Sequence, residues 1–253
     1  MRIFITGASS GLGKALATAY AQQGASLGLV GRNQQALKEL AASLPGEHQV
    51  YALDILDRNA LHRAARDFLE AGTVDIVIAC AGISIGTLTE YEEDFVQFQK
   101  VINTNLLAMV ATFEPFIKAM KARDSGTLVG ISSVAGVRGL PGSSAYSASK
   151  AATTTYLESL RVDLHDTRLK VVTIAPGFID TPMTQHNPYK MPFLMQPEAF
   201  AKAAIKYIEN GNSYTVIPWQ MGVVAKLLKW VPNPLYDYFA FRSGRKPRNN
   251  SPT

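Results

Sequence analysis

The sequence is poor in the residues that staple small proteins or build metal sites. A single cysteine, Cys80, in 253 residues excludes an internal disulfide framework and any zinc site needing several thiolates. The four histidines, His48, His62, His165 and His186, are scattered with no neighbour at ligand spacing. They read as surface or loop residues, and no metal is expected. No apolar run reaches the roughly eighteen residues of a spanning helix, although an interfacial one stays open. Charge of one sign is also missing from most of the chain. Of 25 basic and 20 acidic residues, six basic and one acidic lie beyond residue 220, leaving nineteen of each before it. A body so balanced has no field with which to gather nucleic acid phosphates. The whole net charge of +5 belongs to the tail. No secretory signal precedes the first apolar run, Ile3-Phe4-Ile5, so the cytoplasm is the expected compartment.

What is present is globular: 47% hydrophobic and 18% charged residues, with length enough for a substantial core. Short apolar runs near 3–5, 27–30, 50–53, 74–79, 128–131, 171–174 and 214–217 read as strands. Between them, amphipathic periods predict helices over about 12–23, 34–43, 58–70, 92–120, 145–165 and 197–209. Seven strands joined by helices of this length imply parallel pairing through right-handed crossovers. The expected fold is α/β, a doubly wound (Rossmann) seven-stranded parallel sheet in a single domain over residues 1–217. A short amphipathic and basic C-terminal extension follows over 218–253.

The first strand runs into Thr6-Gly7-Ala8-Ser9-Ser10-Gly11-Leu12-Gly13, and a helix opens inside the motif. Such a turn lets a diphosphate approach backbone N–H groups at the positive end of a helix with no Cβ in the way. Following a first strand and opening a helix, it has the context of a dinucleotide fingerprint. Gly7, Ser9, Ser10, Gly11, Leu12 and Gly13 are the candidate cofactor ligands. Tyr146 and Lys150, four apart on an expected helix, share one face, and an ammonium beside a phenol favours the phenolate. Ser133 stands at the expected end of the fifth strand, where a parallel sheet presents side chains to a ligand crevice and a hydroxyl can donate to a carbonyl oxygen.

The T-G-x-x-x-G-x-G spacing resembles that of the short-chain dehydrogenase/reductase family, and further matches run along residues 1–217. Ala81-Gly82 looks like the end of the family's Asn-Asn-Ala-Gly segment, Asn105 its helix asparagine, and Ser133, Tyr146 and Lys150 its catalytic set. Pro176-Gly177 resembles its turn after the sixth strand, Asp54 a residue that contacts the adenine, and Thr181 one that reaches the nicotinamide carboxamide. The chain departs at Ala79-Cys80, where the family has Asn-Asn, so the side-chain bonds to neighbouring strands lose their usual donors. The resemblance implies that Tyr146 donates the proton in reduction, that Lys150 lowers its pKa and holds the nicotinamide ribose, that Ser133 orients the carbonyl, and that Asn105 supports a relay water. Cys80, in an apolar strand end, reads as a small packing residue rather than a nucleophile.

The second strand ends in Val30-Gly31-Arg32-Asn33. No carboxylate is there to accept from a ribose 2′-hydroxyl, whereas a guanidinium is shaped to grip a 2′-phosphate. NADP(H) is therefore the expected cofactor. In the segment after Pro176-Gly177, Phe178, Met183, Tyr189, Met191, Phe193, Leu194 and Met195 form an adaptable apolar wall, joined by Val137, Leu140 and Pro141, and favour a lipid-like or steroid-like carbonyl or alcohol. The reading is an NADP(H)-dependent oxidoreductase acting on CH–OH groups, a carbonyl reductase or alcohol dehydrogenase. Its rivals are a non-catalytic NADP(H)-binding regulator and a sugar-nucleotide epimerase, the latter short of chain for a substrate lobe. By resemblance, two long helices, residues 92–120 and 145–165, pair copies into a homodimer or homotetramer. The tail, with both tryptophans and six of the basic residues, suits peripheral contact with an anionic membrane through 218–248, or else covers the pocket or a subunit interface.

Overall fold

The computed structural model describes residues 1–185, 187 and 189–248. Runs rich in β-branched and aromatic residues form β1 (Arg2–Thr6), β2 (Ser26–Gly31), β3 (His48–Ala52), β4 (Ile76–Ala79), β5 (Thr127–Ile131), β6 (Lys170–Pro176) and β7 (Tyr214–Ile217). They pair in parallel in one seven-stranded sheet of order β3-β2-β1-β4-β5-β6-β7. The helices α1 (Gly11–Gln22), α2 (Gln34–Ser43), α3 (Arg58–Glu70), α4 (Asp94–Ile102), α5 (Ala108–Ala122), α6 (Ser144–Asp163) and α7 (Pro197–Asn210) fill the crossovers. This is the expected doubly wound α/β domain. Strand order reverses between β1 and β4, which opens a crevice at the carboxyl ends of those strands.

Alternation along each strand divides the core between the two faces of the sheet. Ile3, Ile5, Leu27 and Leu29 face α1 and α7 through Leu16, Tyr20, Phe200 and Ile205. Phe4, Val30 and Val77 face the other way, onto Phe68 of α3, Phe113 and Phe116 of α5 and Leu157 of α6. The Phe4 ring lies 5.0 Å from Phe116 and 5.6 Å from Phe68. Each such side chain contributes about 1.5–3 kcal/mol by burial, so both faces of the sheet that carries the crevice are fixed by packing.

Several elements differ from expectation. The single helix expected over 92–120 is two helices, α4 and α5, separated by a π turn at Asn103–Leu107. Helical backbone continues through the π turn, and its residues, Asn103-Thr104-Asn105-Leu106-Leu107, include no Gly or Pro to announce it. Asp54 lies beyond β3, which closes at Ala52, and Ser133 stands two residues past β5. The amphipathic and basic extension forms two helices, α8 (Trp219–Trp230) and α9 (Asn233–Arg242).

Beyond α9 the chain returns to the body as a strap. Lys246 donates from its backbone to the Pro141 carbonyl at 3.1 Å and from Nζ to Ser84 Oγ at 2.5 Å. Arg248 bridges to Gly86 and clasps both carboxylate oxygens of Asp94 at 2.9 Å, with Glu93 at 2.7 Å. A Cβ on Gly86 would strike the Pro247 carbonyl, so that position needs glycine for close approach. Arg138 anchors the preceding helices, donating to the carbonyls of Leu228 and Val231 and stacking over Tyr236 at 4.1 Å. Lys246 and Arg248 therefore belong to the fold and leave the free basic end smaller than the sequence implied. Arg248→Ala should speed tryptic cleavage after Arg245 about tenfold, since the charge-assisted bonds lost are of order 1.5–3 kcal/mol. Mass spectrometry of early fragments checks this, and unchanged nicking rates would show that the clasp does not hold the strap.

Candidate active site

The glycine turn places its backbone at the crevice by two devices. Gly13 packs so tightly that a Cβ there would strike the Gly7 carbonyl, which brings the first turn of α1 down onto the strand end. Ser10 caps α1 in extended conformation with no side-chain bond, and no acidic residue lies in the first turn. The leading N–H groups of α1 are thus left for an anion. Thr6 Oγ1 accepts from the backbone N–H groups of Cys80 at 3.2 Å and Ala81 at 3.3 Å. That pair of bonds ties β1 to β4 where the Ala79-Cys80 departure removed asparagine donors.

One cleft is lined by every residue expected to bind cofactor: Gly7, Ser9, Ser10, Gly11, Leu12, Gly13, Arg32, Asp54, Ala81, Gly82, Tyr146, Lys150, Pro176, Gly177 and Thr181. Ser133 joins the same wall. Its Oγ accepts from the Ala135 N–H at 3.1 Å, as the cap of a short 3-10 turn, so the hydroxyl proton stays free to donate. Neighbouring Ser132 turns inward instead, to the Lys150 carbonyl at 3.0 Å and Thr154 Oγ1 at 2.6 Å. Lys150 is 5% exposed, and its Nζ donates to the Ile131 carbonyl at 2.8 Å. That bond holds the ammonium 5.8 Å from the centre of the Tyr146 ring.

Electrostatics correct one expectation. Burial pushes the Tyr146 hydroxyl above the usual phenol range, with the Ser133 hydroxyl pulling the other way. The downward shift expected from Lys150 does not dominate, since burial is the largest influence on Tyr146; burial also brings Lys150 itself down to about 8. Burial also pushes the Cys80 thiol up to about 12, which suits a packing residue on the cleft wall and not a nucleophile.

Asn105 lies outside the cleft lining and is fully buried. Its Oδ1 accepts from the Ile83 N–H at 2.8 Å, and its Nδ2 donates to the Ile83 carbonyl at 3.0 Å and to Ser149 Oγ at 2.9 Å. The side chain, which sits in the π turn, is committed to fixing the loop after β4 against α6. The apolar segment divides. Met183 lines the cleft, whereas Phe193, Leu194 and Met195 turn to a separate groove with Tyr207 and Trp219. Bonds between Phe178, Asp180 and Met195 pin the segment into that shape.

Two histidines also differ from their reading as surface or loop residues. His48 lies in β3 and accepts from the Leu27 N–H at 3.2 Å, and His62 of α3 packs on α5 beside Glu114 at 3.0 Å. His165 is exposed, and His186 lies outside the described residues. Among the described residues no cluster of His, Cys, Asp or Glu is arranged to hold a metal. Sequence reasoning missed the strap residues Ser84, Asp94, Lys246 and Arg248, which meet across more than 150 positions of chain.

The model of the family described as short chain dehydrogenase matches residues 1–191. The chain is 39% identical over 242 residues to a Myxococcus xanthus protein described as an uncharacterized oxidoreductase, covering 94% of this chain and 95% of that one. A 3-ketoacyl-ACP reductase from Sinorhizobium meliloti has a TM-score of 0.78 at 27% identity, covering 88% of this chain and all of that one. A 3-oxoacyl-[acyl-carrier protein] reductase from Brucella melitensis with bound NAD has a TM-score of 0.75 at 26% identity, over 85% of this chain and 88% of that one.

Proposed function

The chain belongs to the short chain dehydrogenase family, a family of oxidoreductases, and from that premise we propose that it is an NADP(H)-dependent reductase of an apolar ketone, running reversibly with the matching alcohol. The observation that carries this reading is that Ser133, Tyr146 and Lys150 line the same cleft as the glycine turn. The open N-terminus of α1 and the close fit at Gly13 suit a diphosphate. A nicotinamide bound in this cleft supplies the hydride.

The side chains divide the remaining work. Ser133, with a lone pair already taken by Ala135, donates its proton to the substrate carbonyl. Tyr146, a phenol whose pKa burial raises further, keeps its proton at neutral pH, so in reduction it enters as the acid that protonates the developing alkoxide. Lys150 is fixed by Ile131 and has N–H groups left for ribose hydroxyls and for steadying the phenolate that Tyr146 becomes. Asn105, by gripping Ile83 at both backbone atoms, positions the loop beside Gly82. Met183 on the cleft wall and Phe178 against Tyr189, with ring centres 6.3 Å apart, favour a greasy substrate over a polyol. Pairing of copies is part of the same reading: Phe95, Val96, Leu107 and Val162 of α4, the π turn and α6 are exposed.

Cofactor choice falls to Arg32. The Brucella reductase holds NAD, so the fold itself does not choose. Here Arg32 stands exposed on the cleft wall just past β2, and no salt bridge among the described residues engages it. A panel of apolar ketones followed through NADPH absorbance should find turnover. The kcat/KM with NADPH should exceed that with NADH about 100-fold, and Arg32→Asp should erase the preference by removing a charge-assisted phosphate contact. Equal or better use of NADH by the unaltered protein would overturn the assignment.

A further inference from the structure

The extension presents an apolar surface that the body does not use. On α8, Trp219, Val223, Leu227 and Trp230 recur every three or four residues and stand exposed, while Met221 and Ala225 on the opposite side pack inward. Of its ten described residues α9 buries none, yet Leu235, Tyr238, Phe239 and Phe241 lie in it. Trp230 is 85% and Phe241 78% exposed. The body holds α9 at its edge, through Tyr236 against Arg138 and Gly139, and contiguous apolar surface of this extent marks a site of contact.

Cations border the surface. Lys226, Lys229, Arg242 and Arg245 are exposed, and Asp237 is the sole carboxylate in residues 218–248. Lys246 and Arg248, spent on the strap, are left out of that count. The Arg242 guanidinium lies 3.6 Å from the centre of the Tyr238 ring, which holds a charge at the edge of the aromatic patch.

We propose that α8, α9 and the turn through Arg245 dock on an anionic lipid bilayer. Charge decides between a bilayer and a second copy. Two-fold pairing through this face would set four cations against their equivalents with one carboxylate per copy to offset them. Anionic headgroups supply the missing sign, and the headgroup boundary is where tryptophan and tyrosine rings are at home. The α8 and α9 axes then lie along the membrane plane, since among the described residues no helix is long and apolar enough to cross it. This contact is independent of any turnover in the cleft.

Flotation of the full chain with vesicles tests it. With vesicles of phosphatidylcholine containing phosphatidylglycerol the protein floats at about 0.05 M salt and is released about tenfold at about 0.5 M, where the Debye length has shrunk. Vesicles of phosphatidylcholine alone bind it about tenfold more weakly. Trp230→Ser combined with Phe241→Ser abolishes flotation while the thermal melt is unchanged, because both side chains are exposed. Lys226→Gln with Lys229→Gln weakens flotation and reduces its salt dependence, an independent check that alters no apolar contact. Failure of the full chain to float with the anionic vesicles at low salt overturns the proposal. So does a Trp230→Ser, Phe241→Ser protein that still floats while its sedimentation shows a smaller assembly, for the face is then an interface between copies.

Discussion

Tyr146→Phe should lower turnover about 10³-fold while leaving dinucleotide affinity within about twofold, the span expected when a single general acid is removed. The substitution deletes one oxygen and keeps the ring, so the wall of the cleft and the 5.8 Å approach of the Lys150 ammonium to the ring survive. What disappears is the proton held ready by burial beside the Ser133 hydroxyl. Without it the alkoxide that forms as the carbonyl is reduced must wait for water. Steady-state NADPH oxidation gives kcat, and quenching or enhancement of NADPH fluorescence gives the affinity. Retained turnover in Tyr146→Phe would remove the phenol from the mechanism and with it the reading of the cleft. In the unaltered protein, ketone reduction should decline first as pH rises past about 8, where Lys150 loses its proton, and again where Tyr146 loses its own, above the ordinary phenol value.

How much of this was legible in the sequence differs between backbone and environment. All seven strands were visible, because parallel strands buried on both faces read as short continuous apolar runs such as Ile76-Val77-Ile78-Ala79. The glycine turn was legible for a steric reason: Gly13 tolerates no Cβ against the Gly7 carbonyl. The cleft residues Ser133, Tyr146, Lys150 and Thr181 were legible as a set only through spacing, and the structure brings them to one wall. The direction of the Tyr146 shift was not, since it depends on how fully Tyr146 and Lys150 are desolvated together, and spacing carries no information about burial. Nor was the commitment of Asn105, which sits in a π turn that no Gly or Pro announces and bonds a loop more than twenty residues away. The strap was hidden for a third reason. A basic run near the end of a chain looks alike whether it is solvated or clasped by Asp94, and only the fold places α4 beside it.

Lys150→Met should abolish useful turnover and yet stabilise the protein without dinucleotide by about 2 kcal/mol at pH 7. Lys150 is 5% exposed, and desolvation brings its ammonium from the ordinary 10.5 to about 8. Below pH 8 native and unfolded chains both hold the proton, so the native state bears the full cost of a buried charge, about 3 kcal/mol for a gap of that size. Between pH 8 and 10.5 the native state sheds the proton first, the unfolded chain binds more protons, and stability rises with pH. Above 10.5 both are neutral and the cost has gone. Methionine fills the space of the lysine stem with no charge to desolvate, but it forfeits the bond to the Ile131 carbonyl, worth about 1 kcal/mol. The variant's advantage should therefore be largest at neutral pH, shrink through pH 9, and reverse sign near pH 10. Urea unfolding of both proteins across that range measures it. An advantage that does not change with pH would mean that packing, and not the buried ammonium, sets the difference. Loss of turnover alongside gained stability would instead mark Lys150 as a charge that the native state tolerates for what it does in the cleft.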